Sequence, residues 1–470
     1  MIRWKNVEIK IRTTQLINNL NISLKRGESL GIVGNNGTGK TILAKALAGM
    51  IPVYGEINSD FSDLKSIFVS FQSNLRLKNG NSVYHQQRWN NLEPEFVPLV
   101  QEEIQYGKYK IQLDPLLQKF NFKKYLKSPV IHLSNGEQHK MELIKALSMH
   151  PDLLILDNAF NGLDYDSRVL LTSLIDQLII EKQSVIMTGF KKEDFPDSIQ
   201  KFVLLCKNEI PQIISKDEIS EESTSETCQF PEIPSWRNSD FTELIALEDV
   251  HLQYGETSIL KNITWTVKAG EHWVLSGSNG SGKTSLLNLI FADNPKGYEC
   301  NIRLFGKQKG SGESIWDIKK QIGFISPELQ QYLPSRQTAI QVICSGFFDS
   351  EGIYKKPTSY QEDIAKQWLR MFGDQNWANK SFSILSASEQ RIVLILRTLI
   401  KNPSLLLLDE PFQGLDFRNV LKIKTLLNTI SLQTNCAMVF VTHFRDEIPD
   451  CFSSELKLHI GEIEFIGKRN

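Results

Sequence analysis

What constrains this chain most is that it repeats itself. Val7, in Asn-Val-Glu-Ile, corresponds to Val250 in Asp-Val-His-Leu, Gly27-Glu28 to Gly270-Glu271, and Lys40 to Lys283, every pair 243 positions apart without a gap. Further along, Ser134 corresponds to Ser386 and Asp157 to Asp409 at a separation of 252, so the second copy carries nine extra residues between these landmarks. Self-similarity on this scale fixes the architecture before any local reading, because each copy must build the same core. At 470 residues, 41% hydrophobic and 23% charged, the chain also exceeds what one ordinary core organises. Between the copies, Ser215 to Glu243 is rich in serine, glutamate and threonine and contains Pro231 and Pro234, a composition that buries little. The expected division is a first domain over 1–214, a linker over 215–243 and a second domain over 244–470.

Each copy opens with a strand-like stretch, reaches a glycine loop, continues as a helical pattern and later shows an apolar run ending in aspartate. Those runs, Leu153-Leu154-Ile155-Leu156-Asp157 and Leu405-Leu406-Leu407-Leu408-Asp409, suit strands buried on both faces of a parallel sheet, hence an α/β fold. The loops Gly34-Asn35-Asn36-Gly37-Thr38-Gly39-Lys40-Thr41 and Gly277-Ser278-Asn279-Gly280-Ser281-Gly282-Lys283-Thr284 both fit the phosphate-loop pattern between a strand and a helix. Glycines let successive backbone N–H groups turn toward phosphates, the lysine meets the β and γ charges, and the hydroxyl holds Mg²⁺. ATP or GTP binding is expected, but such a loop alone does not separate transporters, helicases, kinases and GTPases.

Leu133-Ser134-Asn135-Gly136-Glu137-Gln138 lies between the first loop and its aspartate-ended strand, and Leu385-Ser386-Ala387-Ser388-Glu389-Gln390 does so in the second copy. A serine here could be only a helix N-cap, but its place in the order resembles the signature of ATP-binding-cassette (ABC) ATPases. The resemblance covers both copies, and Asn161-Gly162-Leu163-Asp164 and Gln413-Gly414-Leu415-Asp416 are similar to that family's D-loops. It implies two P-loop NTPase domains of ABC type, each a mainly parallel sheet core with an antiparallel β subdomain and a helical lobe. It also implies cassettes that pair head to tail, within one chain or in a homodimer, each ATP held between one cassette's P-loop and the other's signature. More narrowly, Val83-Tyr84-His85-Gln86-Gln87-Arg88, the stretch from Lys309 to Lys320 and Val342-Ile343-Cys344-Ser345-Gly346-Phe347-Phe348-Asp349-Ser350 resemble ModF/PhrA-type proteins, named for molybdate transport.

The resemblance gives the second cassette a full hydrolytic set. Tyr254 would stack adenine, Lys283 and Thr284 would meet phosphate and Mg²⁺, Asp409 the metal, Glu410 the attacking water and His443 the γ-phosphate. In the first cassette Thr41 and Asp157 remain as metal-side residues, but Ile11 replaces the aromatic, Asn158 the glutamate and Gly189 the histidine. Asparagine cannot accept the water's proton at neutral pH, and glycine offers no side chain. Ser388 replaces a glycine of the second signature. Under head-to-tail pairing Ile11, Asn158, Gly189 and Ser388 all fall around the ATP held by Lys40, with Ser386, while Ser134 and Gly136 complete the site of Lys283. The expected outcome is one hydrolytic site and one that holds MgATP in slow exchange. Gln72 reads as a Q-loop metal contact; its counterpart is open among Glu328, Gln330 and Gln331.

Charge narrows the partners. Lysine plus arginine total 53 against 54 acidic residues, a net charge of −1, so no cationic field draws the chain to nucleic acid. The charged N-terminus lacks a secretory h-region and no apolar stretch reaches spanning length, so a cytoplasmic protein is expected, peripheral at the membrane if permease subunits on other chains recruit it. Cys206, Cys228, Cys300, Cys344, Cys436 and Cys451 lack paired spacing and read as reduced thiols. The segments 73–130 and 329–382 should form helical lobes, with Trp89, Phe347, Phe348, Tyr354 and Trp368 facing either a lobe core or a partner. The output is either a transporter motor, with molybdate or a related oxyanion as cargo, or a non-transport ATPase on a soluble partner. A translation factor of the ABC-F type fits less well, because the inter-domain segment is short and acidic.

Overall fold

The computed structural model describes residues 2–11, 14–35, 37–59, 65–71, 98–130, 133, 135–160, 163, 165–206, 209–219, 236, 240–254, 257–278, 280–327, 337–349, 356–372 and 377–469. The chain divides into two compact units, Met1–Ser223 and Thr224–Asn470. In the first, the elements run β1 (Ile2–Ile11), β2 (Thr14–Leu24), β3 (Leu30–Gly34), α1 (Lys40–Leu47), β4 (Tyr54–Ser59), β5 (Ser66–Ser70), α2 (Val100–Glu103), α3 (Tyr106–Lys119), α4 (Asn135–Leu147), β6 (Leu153–Asp157), α5 (Tyr165–Ile180), β7 (Ser184–Gly189), β8 (Lys201–Leu205) and β9 (Gln212–Ser215). The second repeats the plan with β10 (Glu243–Tyr254), β11 (Thr257–Lys268), β12 (His272–Gly277), α6 (Lys283–Ile290), β13 (Ile302–Leu304), β14 (Lys307–Gln308), α7 (Ile315–Gln321) and β15 (Ile322–Ile325). It continues with α8 (Ala339–Ser345), α9 (Ser359–Arg370), α10 (Ala387–Leu399), β16 (Leu405–Asp409), α11 (Phe417–Gln433), β17 (Ala437–Val441), β18 (Ser454–His459) and β19 (Glu462–Lys468).

The central sheets have orders β5-β6-β7-β3-β8-β9 and β15-β16-β17-β12-β18-β19, parallel except for the last, antiparallel strand. Each unit adds a smaller antiparallel sheet, β2-β1-β4 in the first and β11-β10-β13-β14 in the second. The apolar runs are buried at every position because each serves two cores. Successive strand residues point to opposite faces. Leu154 and Leu156 therefore join the core beneath the lobe, with Leu113, Leu117 and Met141, while Leu153 and Ile155 join the core under the antiparallel sheet with Leu43 and Leu20. Leu406 and Leu408 against Leu405 and Leu407 repeat the division. Trp368 is fully buried in the second lobe and Phe347 packs against that core, so both serve packing; Trp89 and Tyr354 lie outside the described residues.

Folded chain continues past residue 214 in the first unit. Lys216 is buried, its ammonium donating to Phe195 O and to Asp197 at 2.6 Å. Among the described residues no helix is long and apolar enough to cross a membrane.

Candidate functional site

Each P-loop joins the C-terminal end of a central strand to a helix. Gly39 and Gly282 cap α1 and α6 at φ 99° and 102°, a left-handed conformation that side chains resist. The helix N-termini consequently face the loops, where partial positive charge favours phosphate. The Lys40 ammonium donates to Gly34 O at 2.8 Å and Asn35 O at 3.0 Å; that of Lys283 donates to Gly277 O at 2.7 Å and Ser278 O at 2.9 Å. Gly37 and Gly280 share φ near 77°, at 76° and 78°, and the Thr38 hydroxyl donates to Asn35 O. Ser281 is buried on the second loop. Asn36 and Asn279 lie outside the described residues.

The aspartate-ended strands bring their carboxylates to the loop hydroxyls. Thr284 donates to Asp409 at 3.4 Å, and Thr41 to Asp157 at 2.9 Å. A hydroxyl beside a carboxylate is the hard-oxygen set that Mg²⁺ takes, so the second cassette fits the ion. The next residue turns left-handed in both units, Asn158 at φ 54° and Glu410 at 47°. Asparagine tolerates that region, whereas glutamate is strained there, as residues at reactive sites often are. Glu410 Oε1 lies 3.4 Å from His443 Nε2 and makes no hydrogen bond with described protein atoms. Burial, then the charges of Asp409 and Glu447, hold the Glu410 carboxyl well above the usual carboxylate range, against the pull of Lys283 and Arg391. In the first cassette, Gly189 ends β7 so tightly that a Cβ would lie 2.8 Å from Asp194 Cβ and from the Phe195 ring. Gly189 is nevertheless not the counterpart of His443: β6 pairs Leu156 with Met187 where β16 pairs Leu408 with Phe440, so Gly189 matches Thr442 and Phe190 stands where His443 does, its ring 4.1 Å from the Lys40 ammonium.

Tyr254 ends β10, its hydroxyl accepting from Asn294 at 2.7 Å and its ring 4.7 Å from the Lys296 ammonium. Ile11 ends β1 at the corresponding place, paired with Thr14. Ser386 caps α10 with Glu389 in a reciprocal capping box, and Ser388 is buried with its hydroxyl unbonded. Gly136 lies against Ser167, whose hydroxyl a Cβ would meet at 2.6 Å. Ser134, Gln72, Glu328, Gln330, Gln331, Asn161, Gly162 and Asp164 lie outside the described residues.

Two groups escaped the sequence reading. Arg391, fully buried on α10, donates to the carbonyls of Ser326 (2.7 Å), Asp409 (3.2 Å), Glu410 (2.6 Å) and Pro411 (3.0 Å), tying the signature helix to the catalytic corner. Its counterpart is His139, whose Nδ1 meets Ala159 O at 3.1 Å. A charged residue opening the apolar run from Ile392 to Leu396 was the available signal. The second is Thr188, which donates to Asp157 at 2.7 Å, whereas Val441 at the equivalent place in β17 has no hydroxyl.

The ABC transporter family matches residues 17–161 and 260–413. The chain is similar to the ABC transporter ATP-binding protein ModF of Escherichia coli, 34% identical over 93% of this chain and 92% of that one. An ABC transporter ATP-binding protein of Schizosaccharomyces pombe is 30% identical over 98% of each. Among solved structures, a ribosome-bound archaeal Pelota–ABCE1 assembly shares the fold over 97% of this chain and 77% of its own, with TM-score 0.64 and 16% identity. The RNase-L Inhibitor does so over 99% and 90%, with TM-score 0.60 and 16% identity. The duplicated match, placed on two P-loops of the geometry above, establishes that the chain belongs to the ABC transporter family as a tandem cassette ATPase.

Proposed function

We propose that the two cassettes work unequally, hydrolysis occurring at the Lys283 loop and the Lys40 loop binding nucleotide without turnover. The observation that carries this reading is the catalytic corner: Glu410 faces His443 across 3.4 Å, while Asn158 turns the same corner and Phe190 stands at the histidine's place. By the family's arrangement Ser134 and Gly136 complete the Lys283 site, and Ser386 and Ser388 that of Lys40. Thr284 and Asp409 would hold Mg²⁺, which would supply positive charge against the phosphates. Lys283 and the loop amides orient the phosphates, Glu410 accepts the water's proton, and His443 stands beside Glu410 where the γ-phosphate would end. The same reading makes the protein cytoplasmic, docking on permease subunits of other chains.

The cargo reading, molybdate or a related oxyanion, rests on similarity to ModF and on the segments shared with that type. Turnover tests the asymmetry. Glu410→Gln should lower steady-state ATP hydrolysis by about 10²- to 10⁴-fold, the usual cost of a lost general base, while Asn158→Glu leaves it within about twofold. Equal effects from the two changes would overturn the assignment. The cargo reading is tested by proteins retained with the ATP-trapped Glu410→Gln chain: permease subunits support it, ribosomes or a soluble partner replace it.

A further inference from the structure

The residue that sets the first cassette apart is one that the nucleotide itself need not touch. Thr188, near the end of β7, is almost completely buried; its hydroxyl donates to Asp157 Oδ1 at 2.7 Å, with Asn158 Oδ1 a distant second acceptor at 3.5 Å, and accepts from the Asn158 N–H at 2.9 Å. Thr41 donates to the same carboxylate, at 3.2 Å to Oδ1 and 2.9 Å to Oδ2. The second cassette is wired differently. There the ladder between β16 and β17 runs one pair further, to Asp409 and Val441, and the Glu410 N–H donates to Val441 O at 3.0 Å. In the first cassette the ladder between β6 and β7 ends at Leu156 and Met187, and the threonine hydroxyl serves the next N–H instead. Val441, which stands where Thr188 does, has no hydroxyl to offer; Thr442, one residue on, donates to Glu447 and accepts from the Phe444 N–H at 3.2 Å, and Asp409 faces Thr284 at 3.4 Å.

Mg²⁺ in such a site needs the carboxylate to accept from its water shell, and its affinity grows with the number of negative ligands. The first cassette falls short on both counts. Asp157 is engaged by two hydroxyls of the chain, in short bonds strengthened by its charge. Turning Thr188 away would also leave the half-buried Asn158 N–H without this acceptor. Asn158 further removes the second carboxylate that Glu410 supplies beside Asp409. We propose that the first cassette takes its nucleotide without a divalent cation, because the Thr188 hydroxyl occupies the carboxylate that a metal would use. This rests on the reading of Lys40 as a nucleotide loop and replaces the MgATP expected there from the residue types alone.

The test reads binding, not turnover. Full-length chain carrying Lys283→Ala is titrated with fluorescent MANT-ATP in Mg²⁺ and again in EDTA, and Lys40→Ala is treated identically. The Lys283→Ala chain should bind with affinities within about threefold in the two media, while the Lys40→Ala chain loses about tenfold or more in EDTA. Adding Thr188→Val to Lys283→Ala should create a metal requirement of about tenfold, the scale of one charge-assisted hydrogen bond, whereas Thr188→Ser keeps the indifference. A tenfold loss in EDTA for Lys283→Ala, no MANT-ATP binding by that chain, or a Thr188→Val variant unchanged in both media would each overturn the proposal. If Thr188→Val fails to fold, the two-media comparison on Lys283→Ala alone decides. Failure here, with Asn158→Glu still inert in turnover, removes the metal assignment only; a turnover response to Asn158→Glu removes the asymmetric reading beneath it.

Discussion

Two buried side chains at corresponding helix positions, His139 and Arg391, carry different chemistry into the two cassettes. Burial holds His139 neutral, its pKa lowered to about 4, whereas Arg391, lowered to about 10 by burial, stays charged near neutral pH. The folded pKa of His139 lies below its unfolded value of 6.5, so the stability tied to its neutral form is complete above pH 6.5 and is lost as pH falls toward 4. The full loss is about 3 kcal/mol. Thermal melting between pH 7 and 4.5 should therefore show a shallower decline for His139→Gln than for the unaltered chain. An identical pH dependence would place the titration elsewhere. A single letter made Asn158 legible as a loss; Thr188 was not legible, because only the strand register shows that it stands beside Asp157 where Val441 stands beside Asp409, and the same register moves the missing histidine from Gly189 to Phe190.

At the scale of elements, the apolar runs announced β6 and β16, since five consecutive buried residues can occur only where a strand feeds a core on each face. The lobes were harder to read, because helices such as α9 bury few positions, Ala365, Trp368 and Leu369 among them. The tie between α10 and the end of β16 was invisible in advance, since an arginine in a helix gives no hint of which carbonyls it will find. Arg391→Met should cost about 3–5 kcal/mol, the range for removing one partner from a buried charged network, measured as a lower melting transition for the second cassette. At the other end of the scale, Asp416→Ala removes the bond from the Asn419 N–H that caps α11, and should cost about 1 kcal/mol.

For the whole molecule, each unit owns two cores, and no residue of either belongs to the other unit's clusters. Calorimetry should show two unfolding transitions, and Trp368→Ala should lower one by about 3–5 kcal/mol while leaving the other in place. A single transition shifted as a block would show that the cassettes unfold together. Duplication was the most legible property of all, because a register of 243 positions survives side-chain drift that disguises any one motif. The ring of Phe190 gives that drift a direction. A glutamate restored at position 158 would face no imidazole, and an imidazole must first replace the Phe190 ring that lies 4.1 Å from the Lys40 ammonium. Neither step is useful alone, so the passage from two equal engines to one engine and one fixed partner is easy to make and hard to retrace, by natural selection or in the laboratory.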